Sequence, residues 1–220
     1  MKTFATKITM QNKPTASGHS RLQVKSKALL AVAMAMFAMN AQSQTLAMKY
    51  DTKNHAKAKG VWATIRYPSG WEAKEGERPN IVQKFSGDYN GMFVVLSLQI
   101  VDAGGPVEKE CSSTSGAEFS DTVADKSLNQ IVLKMQKSKH EDKPSFIYEV
   151  QQQVERAGMS TQVTSKVMTV CYKNTMISTS CGPMVIDKQN QRLISTRKEV
   201  QQAESLCFQF FNSLVLMDKY

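Results

Sequence analysis

The stretch Asp88-Tyr89-Asn90-Gly91-Met92-Phe93-Val94-Val95-Leu96-Ser97-Leu98-Gln99-Ile100-Val101-Asp102 decides the fold. Asn-Gly between two apolar runs is a strong hairpin signal, because a type I′ turn needs positive φ at both central residues. Pairing Tyr89 with Met92 sets Phe85 against Leu96, Gln83 against Leu98 and Ile81 against Ile100. Val94, Leu96, Leu98, Ile100, Phe85 and Ile81 then share one face. A slip of one residue would turn this whole set over, so the apolar pattern fixes the register. Phe93, Val95 and Val101 lie on the other face, which predicts a central strand covered on both sides.

The chain has 220 residues, enough for one domain with a sizeable core. Its formal charge of +9 is concentrated at the start. Residues 1–43 carry Lys2, Lys7, Lys13, Arg21, Lys25 and Lys27 and no acidic residue. The rest holds 22 Lys and Arg against 19 acidic residues. Nucleic-acid binding argued from the isoelectric point therefore fails once that segment is set aside. The segment reads as a secretory signal. Its basic stretch ends at Lys27, the apolar run Ala28–Met39 is too short to span a bilayer, and Ala41-Gln42-Ser43 offers a cleavage site. The start codon can lie later, at Met10 for instance. The expected organisation is a signal peptide over 1–43, a polar arm over 44–59 and one domain over 60–220, with the mature protein periplasmic.

All four cysteines, Cys111, Cys171, Cys181 and Cys207, fall in the mature part. An even number in an oxidising compartment predicts two disulfides, each stabilising by about 2–4 kcal/mol. No C-x-x-C pair is present to suggest zinc.

Gln44 to Gly60 is Lys-rich and reads as a mobile arm or short helix. Val61, Ala63, Ile65 and Tyr67 alternate with Trp62, Thr64 and Arg66 as a half-buried strand. Pro68-Ser69-Gly70 turns it, Trp71 begins a return strand, and Glu72–Pro79 is charged and exposed. After the 80–102 hairpin, Val107–Gly116 is a Ser-rich loop holding Cys111. Ser115 and Glu118 fit a capping box, with a helix to about Lys137 and a charged loop over Ser138–Pro144. Phe146–Pro183 predicts a three-stranded meander turning at Ala157-Gly158 and Lys173-Asn174. A two-residue turn at 173–174 puts Cys171 and Cys181 on opposite faces, so they do not pair with each other. Gly182-Pro183 ends the meander, and a last helix spans about Ser195–Ser213 with Cys207 on its core face. Cys207 then pairs with Cys181 or Cys171, and the remaining one with Cys111; the sequence leaves the choice open. The order is hairpin, hairpin, helix, meander, helix: an α+β chain with one antiparallel sheet and helices packed on it.

Ile65-Arg66-Tyr67-Pro68-Ser69-Gly70-Trp71, followed by Asn80-Ile81-Val82-Gln83-Lys84-Phe85, resembles the PsbP/Mog1-like superfamily. Tyr148–Gln153, the Arg156–Met159 turn and Phe211-Asn212-Ser213-Leu214 are similar to small exported bacterial members. The resemblance covers about residues 60–217. It implies an α-β-α sandwich around an antiparallel sheet and a binding module rather than an enzyme. Members are photosystem accessory subunits, small-GTPase partners, and chaperones or inhibitors in secretion systems. No functional residue carries over from it.

The chain itself is poor in chemistry. Only His55 and His140 lie beyond residue 43. His140-Glu141 begins like H-E-x-x-H, but Pro144 stands in the second His position. There is no G-x-S-x-G, Walker A or G-x-G-x-x-G. Asp88-Tyr89-Asn90-Gly91 begins like a calcium loop, yet Gln99 occupies the bidentate-acid position. Glu108, Glu110, Glu118 and Asp121 form an acidic stretch near Cys111. Trp62 and Trp71 read as core or edge cover. No catalytic, cofactor or metal residue is assigned. Enzyme chemistry would have to rest on carboxylates such as Glu149 or Glu155, which the alternation explains as a solvated face.

The expected function is an exported, non-catalytic module engaging a periplasmic or envelope protein, in one form as an immunity-type inhibitor of a periplasmic toxin. The alternative is a small-ligand or metal-ion carrier with its site near the Cys111 segment and the meander edge. The exported protein should lack residues 1 to about 43 and react with no thiol reagent, measured by intact mass. A retained leader with four free thiols would overturn this reading.

Overall fold

The structure, a computed structural model, describes residues 45–124, 130–156, 159–187 and 192–217. The expected leader and the expected turn at 157–158 lie outside the described residues.

Two antiparallel sheets form among the described residues. The larger contains β3 (Glu72–Glu75), β4 (Ile81–Tyr89), β5 (Met92–Asp102), β6 (Ile131–His140), β7 (Lys143–Arg156), β8 (Met159–Tyr172) and β9 (Thr175–Asp187). Their order is β3-β4-β5-β9-β8-β7-β6, with the short β10 (Arg192–Ile194) against β9. The smaller sheet runs β1-β2-β11, from Met48–Asp51, Ala63–Tyr67 and Val215–Leu216.

The Asn90-Gly91 turn forms as the dipeptide predicts, with φ of 52° and 77°. Tyr89 pairs with Met92, Phe85 with Leu96 and Gln83 with Leu98. Beyond Gln83 the register shifts, so Ile81 lies against Gln99 rather than Ile100. This bulge turns Val82 into the core and Ile81 to the opposite face. An uninterrupted period of two could not signal the extra residue.

Several other expectations need correction. The 44–59 arm is built: β1 pairs with β2, and a 3₁₀ turn over Ala56–Ala58 follows. Thr52 supports it, donating its hydroxyl to the Val61 carbonyl at 2.7 Å and accepting from the Ala63 N–H at 2.8 Å. Trp71 does not return beside β2. Pro68-Ser69-Gly70 carries the chain from one sheet to the other, and β3 pairs with β4. The stretch around Cys111 is a helix, α1 (Val107–Ser113), not a loop. The capping box at Ser115 and Glu118 is present, but its helix α2 (Gly116–Val123) is short. Ile131–His140, expected as the rest of that helix and a loop, is β6. Its apolar residues satisfied a helical spacing, but pairing with β7 prevailed over local preference. The meander therefore has four strands. β9 also continues through Gly182-Pro183, with Pro183 lying opposite Val94. The C-terminal helix is two pieces, α3 (Arg197–Gln202) and α4 (Glu204–Asn212), broken at Ala203.

Both faces of the large sheet carry a core. Phe85, Val94, Leu96, Leu98, Ile100, Met168, Val170 and Ile177 meet α4 and the small sheet on one face. Tyr67 stacks on Phe85 with centroids 4.2 Å apart, coupling β2 to β4. Phe146, Tyr148, Val150 and Val167 meet α1 and α2 on the other, with Phe119 stacked on Phe146 at 3.9 Å. One disulfide serves each face. Cys111–Cys171 joins α1 to β8, with Cα atoms 6.4 Å apart, and Cys181–Cys207 joins β9 to α4 at 5.5 Å. Cys171 and Cys181 do point to opposite faces, and Cys171 lies opposite Met176 as the two-residue turn requires.

Ion pairs fasten the helices further. Lys166, nearly buried, pairs with Glu204, and its ammonium sits 4.3 Å from the Phe208 ring centroid. Arg197 bonds Glu149 at 3.0 Å. Glu149 is only 8% exposed while the Arg197 side chain stays half exposed, so the carboxylate is tucked under a surface cation and does not lie on an open solvated face.

The two disulfides span separations of 60 and 26 residues, so removing them by paired Cys→Ala substitution should cost about 4.3 kcal/mol for Cys111–Cys171 and about 3.5 kcal/mol for Cys181–Cys207 in the chain-entropy account. Urea unfolding of the two double variants measures the difference.

Candidate functional site

The register of β5, β9, β8 and β7 determines one unusual surface. On the α1–α2 face, β5 presents Phe93, Val95, Ser97, Gln99 and Val101, and β9 presents Met176, Ser178, Ser180, Gly182, Met184 and Ile186. β8 adds Val163, Ser165, Val167 and Thr169, and β7 adds Phe146, Tyr148, Val150 and Gln152. None of these side chains is charged. A solvated sheet face ordinarily carries charged and polar residues in alternation with the core.

Helices α1 and α2 cover only one end of this face. Beside them lies an open groove of about 420 Å³, floored by Ser97, Ser178, Ser180, Ser165 and Thr169 and walled by Val101, Phe119, Val150 and Val167. Four of the five floor hydroxyls are bonded within the groove. Ser97 and Ser180 are 2.6 Å apart, Thr169 and Ser178 2.8 Å, and Tyr148 and Thr169 3.1 Å. Gln99 and Gln130 add amides, and among the described residues Arg78, at the rim, is the only charged one in the lining. Away from the groove the same face ends in an apolar tip. Phe93, 41% exposed, lies opposite Met184, and Ile186, 68% exposed, lies opposite Leu193. A second cavity, of about 580 Å³, lies where the β7–β8 hairpin meets β10 and the start of α3, lined by Gln151, Gln153, Gln162 and Arg192 among others.

Burial pushes the Tyr148 phenol above the ordinary tyrosine value, against the opposing effect of its hydrogen bond with Thr169. At the covered end, burial raises the Glu108 carboxyl. The Lys143 ammonium at 2.8 Å and the Lys173 N–H outweigh it, leaving the carboxyl below its usual value.

The residues singled out from the sequence are placed apart from this groove or beside it. Of the acidic stretch, Glu108 clamps α1 to Lys143 and Lys173, and Glu118 closes the α2 capping box; Glu110 and Asp121 are exposed. Among the described residues no three His, Cys, Asp or Glu side chains come together as a metal site. His140 Nε2 lies 2.8 Å from the Leu214 carbonyl oxygen, and Glu141 accepts from the Leu216 N–H. His55 accepts from the Lys57 N–H. Trp71 is buried against Gly87, where a Cβ would lie 2.6 Å from the indole. Trp62 donates to Asp51 under the Lys53 ammonium. The Cys111–Cys171 disulfide lies at the covered end, next to the groove. The side chain of Glu155 falls outside the described residues.

The groove itself was not foreseen. Its only sequence signal is the recurrence of Ser, Thr or Gln at alternate positions in three separate strands, which becomes visible only when the register is known.

No protein-family model and no curated protein matches the chain. Among solved structures it is similar to cyanobacterial PsbP (CyanoP) from Synechocystis sp. PCC 6803, at 13% identity and a TM-score of 0.43. The similarity covers 77% of this chain and 91% of that one. At that identity the likeness concerns the fold alone. The two disulfides fit an exported protein, and no helix among the described residues is long and apolar enough to cross a membrane.

A phenol held above its ordinary pKa favours the folded state while it is protonated, and that advantage is lost as pH rises past the unfolded tyrosine value. Absorbance titration should therefore show Tyr148 ionising in the late phase. Tyr148→Phe should remove one equivalent from that phase and reduce the alkaline loss of stability.

Proposed function

We propose that this chain is a non-catalytic binding module of the periplasm or envelope whose uncharged sheet face receives another protein. The observation that carries the reading is that the described alternate side chains from Phe93 to Val101, Met176 to Ile186, Val163 to Thr169 and Phe146 to Gln152, on one face of four neighbouring strands, are all uncharged, on a face that α1 and α2 cover only in part. The exposed apolar residues of this face, Phe93 and Ile186, are costly to leave in water and gain by being covered. The Ser97, Ser180, Thr169 and Ser178 hydroxyls satisfy one another, so covering them does not leave those groups unpaired. Both described histidines are engaged with backbone groups, which supports a binding role over acid–base chemistry. Helices on the two faces of the antiparallel sheet are in keeping with an α-β-α sandwich of the PsbP/Mog1 kind. Inhibition of a periplasmic toxin is a specific form of this role, and the identity of the partner decides it.

The groove volume favours a second reading, a carrier of a small uncharged ligand. Native mass spectrometry of the purified protein distinguishes the two, because a carrier retains a co-purifying small molecule.

Capture from the envelope fraction with the oxidised mature protein should yield one stoichiometric protein. Gln99→Glu, isosteric but charged, should reduce that capture at least tenfold while thermal unfolding stays within a few degrees of the parent. Undiminished capture by this variant would remove the face from the binding surface.

A further inference from the structure

We infer that the occupant of the uncharged face is a single amphipathic helix of the partner protein, laid along β9. The inference rests on the binding reading above and names what is bound.

The backbone argues first. β5, β9 and β8 are interior strands paired on both sides through the groove region, so their faces present no free ladder of N–H and C=O groups. An added strand would find nothing there to bond and would bury its own backbone unsatisfied. The Ser97, Ser180, Thr169 and Ser178 hydroxyls of the floor are likewise committed to one another. An occupant must therefore satisfy its own backbone, and a helix does so.

Dimensions agree. Ser178 and Ile186 lie at the two ends of the open part of β9, a run of about 26 Å at strand rise, which matches a helix of about 17 residues. Across the face, β5 to β8 spans two strand spacings, about 10 Å, the diameter of one helix. Val95, Phe93, Met184 and Ile186 supply apolar contacts along that track.

Charge then sets the character of the helix. Its seated stripe must be uncharged, because none of the described side chains on this face of the four strands would pair with a charge. Arg78 at the rim calls for an acidic residue on the flank beside it. A second copy of this chain is a poor occupant: its described helices already bury Val107, Phe119, Val200, Leu206, Phe210 and Phe211 in their own core.

The test is photocrosslinking in producing cells from p-benzoylphenylalanine placed at Gln99, and separately at Val95, in the full chain, with adducts mapped by mass spectrometry. The expected result is one partner peptide from both sites whose apolar residues recur every three or four positions, with at least a fivefold lower yield in a Ser180→Asp background. The parallel Ser180→Ala background should keep the yield and separates charge from misfolding. Adducts to a partner peptide with alternating or irregular apolar spacing would overturn the helix and leave the binding reading standing. Adducts to this chain itself, to many proteins or to none would overturn both.

Discussion

Asn90 and Gly91, both in the left-handed region, set the phase of the sheet. Their turn fixes which residues of β5 face each way, and β5 in turn fixes β9 through ten consecutive cross-strand pairs. Leu96 inward dictates Cys181 inward, and Ser97 outward dictates Ser180 outward. The disulfide to α4 and the hydroxyl-floored groove are thus two sides of one register. A shift of one position would bury the serines against Phe210 and expose the leucines, a change no local adjustment could absorb.

Much of this was legible because it follows from local chemistry or strict alternation. The 90–91 turn, the Ser115 capping box, the 173–174 turn and the inward Cys207 are short-range signals. What was not legible depends on which strands become neighbours. Ile131–His140 has helical spacing and also strand pairing, and only β7 beside it decides. The Ile81 bulge interrupts a pattern that alternation alone would continue. Glu149 looks like a solvated residue until Arg197, 48 positions away, lies against it. The groove is the clearest case, since its floor is assembled from three strands and no single segment announces it.

The corner at Tyr67–Trp71 gives the resemblance its physical content. Tyr67 stacks on Phe85 of the large sheet, Pro68 and Gly70 turn the chain, and Trp71 fills the space over Gly87. The motif is a joint between two sheets. That is why it speaks for fold and is silent on function.

Both covalent links end on the same element. The β8–β9 hairpin carries Cys171 toward one helical layer and Cys181 toward the other. In mechanical terms this hairpin is a shared anchor with two independent tethers. Opening the bridge to α4 leaves α1 held, and opening the bridge to α1 leaves the C-terminal helices held. The layer that borders the groove can thus be loosened without disturbing the core on the far side.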